Sequence, residues 1–273
     1  MDDDEILVLF ASAVWAARAG LRWYIRLLAC PSPIPRHAVA TRIAAGVWPL
    51  ALLFALYETL IWGAAREVRT EGDYILLFLS LGAVWISGLS WASGWLGIHP
   101  LDDMIERKNV AAAIAVGGTV SGGMIVFAGA NLGEGSTIWM TIEPALMATA
   151  FALALWGAHH MLSGAADAIT LDRDVASAIR FAGMTLGTGL IIGRAAAGDY
   201  VSADATARDL FVQGSPAFLL MGLNALIQRW LRPTKELSRP PVFTRGLLPG
   251  VVCLGLGTAA VLWPERWSWA VGQ

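Results

Sequence analysis

Apolar and polar positions along this chain come in blocks rather than in a short amphipathic period. Runs of about twenty apolar residues alternate with short patches that hold most of the charge. A run of that length matches the ~20 residues a helix needs to cross a ~30 Å hydrocarbon core. Helix is the expected conformation because backbone polar groups in lipid must pair within their own segment. Eight segments are predicted, over residues 6–28, 43–64, 74–97, 110–131, 138–161, 175–197, 210–231 and 246–263. The expected fold class is an all-α polytopic transmembrane bundle, one domain over residues 1–273. The proline-bearing basic stretch RPTKELSRPPVFTR (232–245) reads as a loop.

One phrase occurs twice. RKNVAAAIAVGG (107–118) and DRDVASAIRFAG (172–183) align at an offset of 65, which also pairs Trp91 with Trp156, Asp102 with Asp167, and Gly122 with Gly187. Each unit is an apolar helix, a charged loop and a small-residue helix. The best internal match is 91–130 with 156–195, and the helical pairs are 6–64, 74–131, 138–197 and 210–263. A two-span unit returns the chain to its starting side, so successive units are expected to be parallel.

The polar head of the phrase has a structural explanation. Asn109 and Asp174 directly precede apolar runs, and both residue types are strong N-caps. Thr41 and Thr244 are placed to cap the second and eighth helices. The small residues have an explanation as well. Gly118-x-x-x-Gly122 and Gly183-x-x-x-Gly187 let helix backbones approach closely in lipid, where no hydrophobic effect drives helices together. The even-numbered segments are therefore expected at the centre, with the bulkier odd ones outside.

Composition sharpens this picture. The chain is 56% hydrophobic and only 15% charged, against roughly a quarter charged in soluble domains. Twelve Lys and Arg fall on one side of the segments (Arg26, Arg36, Arg42, Arg107, Lys108, Arg173, Arg180, Arg229, Arg232, Lys235, Arg239, Arg245). Five fall on the other (Arg66, Arg69, Arg194, Arg208, Arg266). The richer side is expected in the cytoplasm, with both termini outside. Arg18, Arg22 and Arg26 form one stripe on the first segment, which either spans with snorkelling arginines or lies in the interface as an amphipathic helix. The acidic start MDDDEILVLF is unlike a signal peptide, so this segment is expected to be retained. Trp15, Trp23, Trp91, Trp95, Trp139, Trp230, Trp263 and Trp267 fit interfacial belts, whereas Trp48, Trp85 and Trp156 fit helix packing.

The residues Ile105–Gly118 (IERKNVAAAIAVGG) and, more loosely, Asp172–Gly183 resemble the YjfL-type bacterial inner-membrane family, a domain of unknown function (number 350). The resemblance covers roughly residues 73–200; PRHAVATRIAAG (35–46) and FTRGLLPGVVCLGLG (243–257) echo it faintly. Asp174 stands where the family pattern has Asn. The resemblance implies a multi-pass protein of the bacterial cytoplasmic membrane, linked to stress response or envelope maintenance. It implies no reaction.

Chemistry is sparse. A net charge of −2 with no basic-aromatic face argues against nucleic acid. Cys30 and Cys253 are isolated, and no nucleotide-binding loop, nucleophile elbow or HExxH is present. Glu58, Asn131, Glu143 and Arg194 reach a similar outer layer and form a candidate polar vestibule, with Glu143 pairing Arg194 and Glu58 open to a cation or proton. His159 and His160, with His37 and His99, lie near cytoplasmic helix ends; the first two are weak metal candidates, and no metal or cofactor is expected. Asn224 and Gln228 share one face of the seventh segment. Expected partners are the bilayer, a second copy or another membrane protein at the small-residue helices, and anionic lipid or protein at the basic loops. Two function classes follow. One is a non-enzymatic structural or regulatory membrane component; the other is an ion- or proton-coupled channel or small-solute transporter.

Overall fold

The structure is a computed structural model that describes residues 1–29, 36–133, 138–233 and 241–263. Its helices are α1 (Asp3–Ala29), α2 (Arg36–Gly63), α3 (Arg66–Thr70), α4 (Gly72–Trp95), α5 (Val110–Ala130), α6 (Trp139–Ser163), α7 (Ala165–Thr170), α8 (Val175–Ala196), α9 (Ala203–Val212), α10 (Ser215–Leu231) and α11 (Leu248–Leu262). Wider π-helical turns cover Pro100–Glu106 and Phe243–Leu247. Seven stretches are long and apolar enough to cross a membrane: α1, residues 43–63 of α2, α4, α5, α6, α8, and α11 with the turn before it. The protein is an all-α, polytopic helical bundle.

The segment predicted at 210–231 is not one straight helix. It divides into α9 and α10, bent by 44°. Pro216 lies in the first turn of α10, where its missing N–H costs nothing, and it stops the incoming helix from running through. The 17 residues of α10 rise only ~25 Å, short of the hydrocarbon thickness, and α10 reaches the length and hydropathy of a span only together with α9. Two capping expectations also fail. Helix α2 already begins at Arg36, upstream of Thr41, and Thr244 lies inside the π-helical turn Phe243–Leu247.

Helices α5 and α8 form the centre, with most of their residues buried. They run side by side in the same direction, because glycines remove the side chains between them. A methyl group at Gly118 would sit 2.6 Å from Ala182 Cα, and one at Gly122 would sit 2.5 Å from the Thr185 carbonyl oxygen. At Gly129 it would strike the backbone of Gly193. The same relation continues from α8 to α11, where Gly183 meets the backbone of Gly250 and Gly187 that of Cys253 and Gly257. Helices α2 and α11, expected at the centre on their small residues, instead flank this pair with mostly exposed surfaces. Their outward positions (Ile43, Val47, Leu50 and Phe54; Leu248, Val251, Val252 and Leu262) are large and apolar, which suits lipid rather than protein.

Indole N–H groups connect the layers. Trp48 donates to Ser121, Trp85 to Thr149 and Trp156 to Thr188, at 2.9–3.1 Å, each across a helix boundary. Trp15 donates to Ser87, and Glu5 ten residues earlier meets Tyr74, so α1 lies along α4 in the same direction rather than across it. In α2 the internal Pro49 has no N–H for the Ala45 carbonyl. That carbonyl accepts from Trp23 Nε1 (3.2 Å), and the next one, on Gly46, accepts from the Tyr24 hydroxyl (2.8 Å). Trp91, Trp95, Trp139, Trp230 and Trp263 are exposed, and Trp267 lies outside the described residues.

The turns entering α5 and α8 follow one path. Asn109 N–H bonds back to the Asp103 carbonyl and Asp174 N–H to that of Ala168, both at 2.9 Å. The residue before each cap is left-handed, Lys108 at φ 52° and Arg173 at φ 53°. Left-handed backbone costs an L-residue ~1–2 kcal/mol, partly offset on mutation by glycine's entropy in the unfolded chain. Lys108→Gly and Arg173→Gly are each expected to stabilise by about 0.5–1 kcal/mol, read as a small rise in the thermal midpoint in detergent.

Candidate functional site: a buried polar network among four helices

Arg180 is fully buried in the second turn of α8. A cation placed there is expensive unless each of its donors is satisfied, and neighbouring elements satisfy them. Nε donates to Gln228 Oε1 of α10 (2.7 Å), Nη2 to Ser177 Oγ (2.9 Å), and Nη1 to the backbone carbonyl of Arg245, in the turn before α11. Asp174 supplies the countercharge at 3.9 Å from Nη2.

Asp174 does three jobs because of where it sits. As the residue ahead of α8 it accepts from the amides of Ala176 (3.2 Å) and Ser177 (2.9 Å), and its carboxylate faces the positive end of the helix dipole. It also accepts from the Ser177 hydroxyl. Ser177 Oγ in turn accepts from Gln228 Nε2 (2.7 Å), so the hydroxyl is used in both senses. Asn224, one turn before Gln228 on the same face, gives Nδ2 to the Arg180 carbonyl (3.3 Å) and to Cys253 Sγ of α11 (3.2 Å). Its Oδ1 lies 2.9 Å from His159 Nε2 of α6. One connected set of polar groups thus ties α6, α8, α10 and α11 together.

His160 lies beside this set. It is 8% exposed, its ring lies 4.3 Å from that of Phe181, and neither ring nitrogen has a hydrogen-bond partner. His159 Nδ1 is likewise buried without one. No group of three or more His, Cys, Asp and Glu suited to a metal occurs among the described residues.

The entry to α5 differs. Asn109 accepts from the amides of Ala111 and Ala112 and gives Nδ2 to the Ile169 carbonyl (2.8 Å), which joins it to α7. Where α8 has Ser177 and Arg180, α5 has Ala112 and Ala115. The charged network belongs to α8 alone.

The outer residues do not converge as the vestibule expectation had them. Glu58 accepts from Trp62 on its own helix (3.2 Å), and Glu143 accepts from the Tyr200 hydroxyl (2.7 Å). Arg194 is exposed, and the ion pairs among the described residues are Arg107–Asp103 and Arg180–Asp174, so Glu143 is not its salt-bridge partner. The Tyr200 phenol is held above its ordinary range, first by that hydrogen bond to Glu143 and then by burial. Asn131 is buried and lines a small cavity with Glu5, Glu67, Tyr74 and Thr141, a set that does not include the other three. Glu5 is 5% exposed, accepts from Tyr74 Oη (2.9 Å) and has no cationic partner among the described residues.

Sequence reasoning missed Arg180, which it used only to count positive charge. The available signal was a cation inside a predicted span, with Ser177 three positions and Asp174 six positions before it. His37 carries a side chain outside the described residues.

Neither the curated proteins nor the solved structures include a match to this chain. Residues 65–196, from α3 through α8, match the family model described as Domain of Unknown Function (DUF350). That segment, which holds the two central helices and the charged half of the network, is similar to this family.

Proposed function

We propose that the protein is a non-enzymatic structural or regulatory component of the bacterial cytoplasmic membrane, built from tandem two-helix units with both termini outside. The observation carrying this reading is the contact of α5, α8 and α11 backbone to backbone at glycines. Helices in such contact leave no space for a solute between them, and their value is a rigid core that holds outer surfaces in place. Those surfaces are an apolar perimeter, for lipid, a second copy or another membrane protein, and a set of basic loops suited to anionic lipid or an acidic partner. Purification from native membranes in a mild detergent, with mass spectrometry of what remains bound, tests it. A homo-oligomer or a stoichiometric protein partner is expected. A strict monomer that carries ions in proteoliposomes would overturn it.

A second reading, transport of a small cation or proton, is favoured by one observation, the cavity where buried Glu5 faces Asn131 without a cationic partner. On that reading Glu5→Gln abolishes flux in proteoliposomes, while Glu58→Gln and Glu143→Gln, outside the cavity, leave it intact. Absence of flux in the unmodified protein removes this reading.

A further inference from the structure

The buried network has an incomplete corner. His159 is fully buried and His160 nearly so, yet three of their four ring nitrogens have no partner. Buried polar atoms are nearly always satisfied by protein or water, so three ring nitrogens without a protein partner on adjacent residues are unusual. The tautomer of His159 follows from its neighbour. Asn224 uses its amide nitrogen on the Arg180 carbonyl and Cys253, so its oxygen is the atom facing His159. His159 Nε2 therefore carries the hydrogen and donates, which leaves a bare lone pair on Nδ1. That lone pair is a proton acceptor with nothing to accept from.

We propose that the His159–His160 pair is a proton-binding site, and that a proton taken up there loosens the packing of α10 and α11 against α8. The proton comes from water. It converts a neutral imidazole into an imidazolium whose new N–H has no acceptor. The groups facing the pair from every side make the closed state intolerant of that charge. The two rings lie 5.8 Å apart, so a charge on one opposes a charge on the other. Helix α8 presents the Arg180 cation, whose countercharge Asp174 is already engaged with the helix start and Ser177. Helix α10 presents the neutral Asn224 and Gln228, with its cations Arg229 and Arg232 exposed. Helix α11 presents the Cys253 thiol through Asn224, and Asp167 of α7 is exposed. No carboxylate among these is placed to neutralise an added proton. The charge is relieved by admitting water; His159 keeps its Nε2 hydrogen and so keeps Asn224, and the bonds that give way are those Asn224 makes to the Arg180 carbonyl of α8 and to Cys253 of α11. This goes beyond the scaffold reading, since it concerns how firmly the inner ends of the helices are held.

Cys253 is a native reporter, buried and bonded to Asn224. In the full-length protein carrying Cys30→Ser, its labelling by a water-soluble maleimide is measured from about pH 8 to about pH 5, the range over which histidine ordinarily charges. Each rate is divided by that of the detergent-unfolded protein at the same pH, which cancels the thiol's own pH dependence. One proton linked to opening raises the normalised rate by up to about tenfold per pH unit. A rise on acidification is expected in the parent. It is expected to flatten in His160→Phe, which keeps a ring against Phe181, or in His159→Gln, which keeps a donor to Asn224, according to which ring takes the proton. A normalised rate that is flat from pH 8 to pH 5 in the parent overturns the proposal. So does an unchanged rise in both variants.

Discussion

Replacing Arg180 by alanine is expected to cost about 3–5 kcal/mol, the range seen when one member of a buried charged set is removed. The loss exceeds that of the ion pair itself. Gln228 Oε1 and the Arg245 carbonyl lose their donor, and Asp174 keeps a buried negative charge with no cation beside it. Because the Arg245 carbonyl belongs to the turn before α11, that helix is the first element expected to detach. Thermal unfolding in detergent should show a fall of roughly ten degrees, and limited proteolysis should cut earlier around residues 241–247. The double change Arg180→Met with Asp174→Asn is the informative comparison. It removes both charges while keeping volume and an N-cap amide, and it should recover most of the lost stability. An Arg180→Ala protein that unfolds within two degrees or so of the parent would mean that the network contributes nothing.

The second large effect lies on the seam between α5 and α8. Gly129→Ala would press a methyl group into the backbone of Gly193, and Gly122→Ala would place one 2.5 Å from the Thr185 carbonyl oxygen. Neither neighbour is a flexible side chain that can swing aside, so the helices must separate along their length. Overpacking usually costs about 1–3 kcal/mol, and a collision with backbone belongs at or above the top of that range. Gly117 is the control. It sits on the same helix, a methyl there meets nothing within 4 Å, and Gly117→Ala should be neutral or stabilising by up to about 1 kcal/mol through helix propensity. Unfolding midpoints for the three variants side by side decide the matter. If all three behave alike, the seam is not tight.

How far the sequence could be read depends on the range of the interaction in question. Segment position and type follow from a solvent effect acting on each residue separately, so blocks of apolar residues are enough. The bend at Pro216 was less legible, because the apolar run continues through it and only the local chemistry of proline breaks the helix. Asn224 and Gln228 are recognisable as one polar face from their spacing alone. Their partners are not, since Arg180 lies 44 and 48 residues away in the chain. Glu58, Glu143 and Arg194 show the same limit from the other direction. Equal depth along three helices fixes their height but not their azimuth: Glu58 turns to Trp62 and Glu143 to Tyr200, while Arg194 is exposed.

By itself, then, the sequence determined that this chain is a set of lipid-length helices, because the hydrocarbon thickness and the demand for internal backbone pairing leave no other solution. It also determined the ends of most of those helices to within a few residues, but not the start of α2, seven residues ahead of the expected one, nor the break between α9 and α10. Only the tertiary structure decided that α5 and α8 form the centre while α2 and α11, which the small-residue argument also placed there, lie to the side. Only it decided that the one fully buried cation among the described residues belongs to α8. Lipid and protein are about equally apolar, so hydrophobicity cannot choose which helix faces which. That choice rests on where glycine removes a side chain and where a donor finds its acceptor, and both are properties of pairs that the linear order does not contain.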